Sequence, residues 1–137
     1  MNSLSKTFMI SAAGMRVQGE RLRVVSENLA NANSTATTPG GDPYRRKTVT
    51  FESVFDRALG ANSVRIARFG TDQGEFQRKY EPGHPSADSS GYVAMPNVNG
   101  MVEMVDMREA QRSYEANLRV LETSKSMLSR TIALLRG

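Results

Sequence analysis

A chain of 137 residues is the size of one modest domain, and 39% hydrophobic with 23% charged side chains is an ordinary globular composition. Zero cysteines exclude disulfides and thiolate metal sites, and no apolar run approaches the ~18 residues of a membrane-spanning helix. The net charge of +4 permits an acidic partner such as nucleic acid or anionic lipid, but it is dispersed along the chain.

The first ten residues lack the apolar block and small-residue cleavage site of a secretory signal, so none is expected. From Ser3 to about Asn33 there is no proline, and Phe8, Met15, Leu22 and Leu29 recur every seventh position. A second row, Leu4, Val25 and Ala32, lies beside them, interrupted by Ser11 and Gln18. Arg16, Glu20, Arg23 and Glu27 form a ladder of alternating sign away from this stripe, as on a solvated helix face. Asn2 or Ser3 supplies the cap. Gly14 and Gly19, with Ala12, either let a neighbouring backbone approach or merely weaken the helix.

The stretch from Asn31 to Tyr44 (NANSTATTPGGDPY) is turn-rich and has little to bury. Short strands are expected at Arg46 to Phe55, Ser63 to Phe69, Glu75 to Tyr80 and Gly91 to Met95, enough for a small antiparallel sheet or hairpin set. A second turn-rich stretch from Glu81 to Pro96 leads to Asn97 or Asn99 as the cap of a long final helix. Between Asn99 and Arg136 there is no proline, and Gly100 is the sole glycine. Met107, Tyr114, Leu121, Leu128 and Leu135 recur every seventh position, beside Met104, Leu118 and Ile132, with Gln111 and Lys125 as interruptions. Arg112, Glu115, Arg119 and Glu122 form the opposite, charged face. A helix of ~55 Å, at ~1.5 Å per residue, needs a partner of similar length.

The expected fold is therefore mainly α with a small β insert. Long N- and C-terminal helices (1–33 and 97–137) pair as a coiled-coil-like unit, with an irregular hairpin-containing segment (34–96) between them. In a monomer the two stripes would be a liability; in an assembly they become the interface.

No catalytic chemistry emerges. His84 sits in a Pro-Gly-His-Pro turn without a ligand set at metal-binding spacing, and Gly40-Gly41 precedes Asp42-Pro43 rather than Gly-Lys-Ser/Thr. No serine lies in a Gly-x-Ser-x-Gly context. No enzyme, cofactor, metal or small-molecule substrate is expected. Arg45, Arg46 and Lys47, beside Tyr44 and Phe51, are the one basic run; they suit either phosphate contacts in a nucleic-acid-binding module or, preferably, a solvated strand edge. Met101, Met104 and Met107 lie at helical spacing and fit a seam better than an adaptable groove.

Specific residues at both ends carry a resemblance. Ser11, Gly14, Met15, Gln18, Arg21, Leu22, Asn28, Leu29, Ala30 and Asn31 resemble the N-terminal motif of the bacterial flagellar rod, hook and hook-associated protein family. Asn99, Glu103, Met104, Val105, Met107, Ala110, Arg112, Tyr114, Glu115, Ala116, Asn117, Thr123 and Lys125 resemble its C-terminal motif. The short insert, with Tyr44-Arg45-Arg46-Lys47, His84-Pro85, Ala87-Asp88, Gly91-Tyr92-Val93 and Met95 to Asn99, is similar to the proximal rod subunits rather than to the larger distal rod and hook proteins. Met95 stands where a tyrosine is usual, and 34–41 has no counterpart.

This resemblance implies a structural subunit exported unfolded by the flagellar type III apparatus. It would polymerise in the periplasm into the axial drive shaft, which transmits torque and encloses the export channel. Its implied partners are copies of itself, other proximal rod subunits, the adaptor near the export gate and the distal rod; neither nucleic acid nor a membrane span is implied. The stripe residues Leu4, Phe8, Met15, Leu22, Val25, Leu29, Met104, Met107, Tyr114, Leu118, Leu121, Leu128, Ile132 and Leu135 are then the expected assembly interface. On that expectation Leu121→Asp blocks rod incorporation and leaves export intact.

Overall fold

The computed structural model describes residues 2–137. Helix α1 covers Ser3–Ala30 and α2 covers Gly100–Arg136, with strands β1 (Lys47–Asp56), β2 (Ala61–Thr71), β3 (Gln77–Tyr80) and β4 (Tyr92–Met95) between them. Two long helices thus flank a small β segment. Asn2 caps α1, its Oδ1 accepting the Ser5 N–H at 2.7 Å. Asn99 caps α2 by accepting the Met101 and Val102 N–H groups at 3.1 and 3.3 Å, so the second candidate, Asn97, is free for a different role.

The strands form two separate two-stranded sheets, β1 with β2 and β3 with β4, rather than one. The short connection between β1 and β2 requires them to run antiparallel. It is built by Asp56, whose Oδ1 accepts the Ala58 and Leu59 N–H groups, and by Gly60 at φ 66°, which closes the turn onto the Asp56 carbonyl. In the second sheet Gln77 faces Met95 and Tyr80 faces Tyr92 across an antiparallel register, and the two tyrosine rings meet edge-on at 5.2 Å. Gly91 at φ 85° ends the connection, where a side chain would strike the Tyr80 ring. Asp88 shapes the same loop by accepting the Ser90 and Tyr92 N–H groups, and these backbone bonds hold its carboxyl below the usual carboxylate range.

The chain resolves into two compact units, each drawn from both helices and the β segment. One comprises Met1–Leu22, Val49–Arg68 and Arg108–Gly137, with Ser11, Val17, Leu59, Ala110 and Ser124 buried. The other comprises Arg23–Thr48 and Phe69–Met107, and encloses Val24, Val25, Asn28, Ser86, Val93 and Glu103.

Candidate assembly interface

In the second unit the motif residues form an internal polar framework. Asn28, fully buried on α1, accepts from the Tyr44 hydroxyl at 2.7 Å and the Lys47 N–H at 2.8 Å, and donates to the Lys47 carbonyl at 2.9 Å. Every polar group of its amide is used, so it locks the chain entering β1 onto the helix. Burial pushes the Tyr44 hydroxyl up from its ordinary pKa. Asn31 donates to the Glu27 carbonyl at 2.9 Å and accepts from the Ser34 hydroxyl at 3.0 Å, which ends α1.

The basic run belongs to this framework: Arg45 and Arg46 are half-buried and turned to partners within the chain, while Lys47 keeps the solvated position expected of a strand edge. Arg45 donates to the carbonyls of Asp72 and Gly74 at 2.8 and 3.0 Å while lying 4.2 Å from the centre of the Phe76 ring. Arg46 pairs with the buried Glu103, and its N–H donates to Asn97 Oδ1 at 2.7 Å. Burial works against the Arg46 charge, but the hydrogen bond and charge of Glu103 outweigh it and raise its pKa. Lys47 bonds Glu27 at 2.9 Å, which raises the lysine and holds the carboxyl down. All three cations are engaged within the chain, so nothing here presents a row of charge to a phosphate backbone. The spacing of Arg46 and Glu103, 57 residues apart, left no signal in either local pattern.

In the first unit the two helices approach at two places. A Cβ on Gly14 would lie 2.8 Å from Asn117 Nδ2, and Arg21 meets Glu109 at 3.1 Å. Gly14 therefore serves close approach, whereas Gly19 faces open space. As α1 advances from 14 to 21 its neighbour recedes from 117 to 109, so the helices run antiparallel here. Gln18 accepts from Arg21 at 3.4 Å, and Asn117 is held by donating to the Ser113 carbonyl at 3.0 Å.

The covered face of α2 passes through Glu103, Met107, Ala110, Tyr114, Asn117, Leu121 and Ser124, in alternating steps of four and three. One expected row, Met107, Tyr114 and Leu121, lies on it. The other inward row consists of small and polar residues, while Met104 and Ile132 are exposed and Leu118 is half-buried on the adjoining flank. Arg112 and Glu115 are exposed on the charged face. On α1, Val25 is buried, Leu4, Met15, Leu22 and Leu29 are half-buried, and Phe8 is exposed; Val17 and Val24, absent from both expected rows, are deeply buried. Beyond Ser124 every residue of α2 is exposed, including Leu128, Ile132 and Leu134 and Leu135, the last two at 82% and 84%. The antiparallel alignment accounts for most of this stretch: α1 begins opposite position ~128, leaving about two turns of α2 without a helix beside them.

A family described as "Flagellar basal body rod FlgEFG protein C-terminal" matches residues 89–134. Over 137 residues, covering 100% of this chain and 99% of the other, the sequence is 52% identical to the "Flagellar basal-body rod protein FlgC" of Agrobacterium fabrum. It is 42% identical to the protein of that name from Salmonella typhimurium over 132 residues, 96% of this chain and 98% of the relative. For that of Bacillus subtilis the figures are 35% over 140 residues, 91% and 93%.

Proposed function

The chain belongs to the FlgC family of flagellar basal-body rod proteins, and from that premise we propose that it polymerises through its terminal helices into the axial drive shaft. It is a structural subunit of the proximal rod and not an enzyme, and it resides in the flagellar basal body. No helix among the described residues is long and apolar enough to cross a membrane.

The observation that carries the polymerisation reading is the end of α2. A protein that extends a helix beyond its neighbour and lines the exposed end with Met127, Leu128, Ile132, Leu134 and Leu135 carries a surface awaiting cover. Segments 1–33 and 97–137 then form a coiled-coil-like inner layer, completed by the helices of neighbouring subunits. The 34–96 segment bridges those neighbours and transmits torque. Copies of the chain, other proximal rod subunits, the adaptor near the export gate and the distal rod supply the neighbours. The subunit reaches the periplasm through the type III apparatus before these surfaces are covered, and their ordering cost is offset on assembly.

Leu135→Asp separates this reading from a stabilising role, because Leu135 touches little within the chain. The variant is expected to be exported and to fold, yet to be missing from purified basal bodies, with motility lost. Normal swimming would contradict the proposal. Leu121→Asp is a less selective probe, since Leu121 is half-buried on the covered face.

A further inference from the structure

The first unit holds a second uncovered surface, lined by no residue of α2. A groove of about 580 Å³ opens between the N-terminal part of α1 and the β1–β2 hairpin. Its apolar lining includes Phe8, Met9 and Phe55, and these are 40%, 47% and 60% exposed, with the buried Leu59 beneath. Bulky apolar side chains gathered in one concavity at such exposure mark a contact surface rather than scattered surface residues.

The polar members of the lining define its complement. Arg16 and Arg57 have no hydrogen-bond or ion-pair partner among the described residues. Arg65 is matched by Glu52, and Asp56 spends one carboxylate oxygen on the turn that follows it. Two unmatched guanidinium groups therefore border an apolar floor. The unit itself carries twelve basic and six acidic side chains, so the local field favours an acidic visitor.

The chain's own exposed helix faces do not meet that requirement: beside Val120 on α2, the exposed acids Glu115 and Glu122 alternate with Arg112 and Arg119 and give no net acidic flank. The extension of α2 carries Lys125, Arg130 and Arg136 and no acid after Glu122, so a second copy would bring like charge to Arg16 and Arg57. The start of α2 exposes Met101, Met104 and Val105, but its acids are committed: Glu103 is buried against Arg46, and Asp106 has a partner of its own.

We infer that this groove receives an amphipathic helix with carboxylates on its flanks, supplied by a different rod protein and not by a second copy of this chain. The inference rests on the rod reading and adds to it a heterotypic contact. Apolar side chains of the visitor fill the space over Leu59 between Phe8, Met9 and Phe55, and its carboxylates pair with Arg16 and Arg57.

The absence of cysteine makes the test direct: Phe55→Cys bears a single thiol, to which a benzophenone photo-crosslinker is attached. The label is activated in purified basal bodies, and adducts are sized and sequenced by mass spectrometry. The expected adduct joins position 55 to an acid-flanked helical segment of another rod protein. A homodimer adduct, an adduct to a segment lacking carboxylates, or no adduct from incorporated subunits would overturn the inference while leaving the rod reading intact. Absence of the unsubstituted chain from the basal bodies would instead remove the rod reading itself.

A solution measurement covers the case in which the labelled chain is not incorporated. Two synthetic amphipathic helices with one apolar row, flanked by Glu in one and Lys in the other, are titrated against the purified chain. The Glu peptide is expected to bind at least about tenfold more tightly, with the preference abolished by Arg16→Glu combined with Arg57→Glu. Equal binding of the two peptides would overturn the inference.

Discussion

Glu103, sealed from solvent in the first turn of α2, is held by the guanidinium of Arg46 from the chain entering β1. Asp72 lies 3.6 Å from the same guanidinium, and among the described residues the second carboxylate oxygen of Glu103 has no partner. Breaking such a pair leaves a buried charge without compensation, a larger penalty than the net worth of the pair. Arg46→Ala is expected to destabilise the chain by ~3–5 kcal/mol in urea unfolding, and Arg46→Ala with Glu103→Leu by clearly less. Equal losses in the two variants would show that the pair is not coupled.

Gly14 and Gly19 lie on one helix and predict opposite signs. At Gly14 the Asn117 amide stands where a side chain would go, so Gly14→Val should cost ~1–3 kcal/mol, partly recovered by Asn117→Ala. At Gly19 no atom lies within 4 Å, so Gly19→Ala should stabilise by up to ~1 kcal/mol through helix propensity. Thermal unfolding of the three variants and the double variant checks both signs.

Acid should weaken the second unit through Glu27. Its folded pKa lies below the ordinary 4.5 because Lys47 bonds it, so its contribution is present above that value and fades as pH falls through the folded pKa. Asp88 acts in the same sense from its ordinary 3.8. Lys47, raised above 10.5, adds a contribution lost only as pH rises through its folded pKa. Urea midpoints measured from about pH 7 down to about pH 3 should fall less steeply for Glu27→Gln than for the unsubstituted chain. Both groups of the pair are exposed, so the difference is small and should shrink in high salt.

Leu128→Asp, near the start of the uncovered part of α2, should leave the urea midpoint of the purified chain within the ~0.5 kcal/mol typical of surface changes, yet prevent rod incorporation. Val17→Asp, buried on α1, should instead unfold the chain before assembly arises. Solubility, unfolding and motility assays on the two variants separate these outcomes.

The periodicity of apolar residues made the helices legible in the sequence, and β-branched and aromatic runs located the four strands. Which stripe faces inward was not legible. Heptad spacing identifies rows, but close approach at Gly14 and the small side chains of Ala110 and Ser124 select the face, and a hydrophobic count discounts such residues. Val17 and Val24 escaped because they lie one position off the row that begins at Leu4 and two off the row that begins at Phe8. Arg45 and Arg46 read as solvated, as Lys47 is, because Glu103, Asp72 and Gly74 come to them only through tertiary folding. The motif asparagines were visible as residues, whereas the bonds that occupy Asn28 were not.

Accessibility of the α2 end in the two states tests the central claim most directly. Leu135→Cys gives a thiol at an exposed position in a chain without cysteine, and maleimide labelling can be timed in the purified subunit and in isolated basal bodies. Assembly through this surface predicts rapid labelling of the free subunit and strong protection in the rod. Equal labelling rates in the two states would show that the α2 extension stays uncovered, and would contradict polymerisation through it.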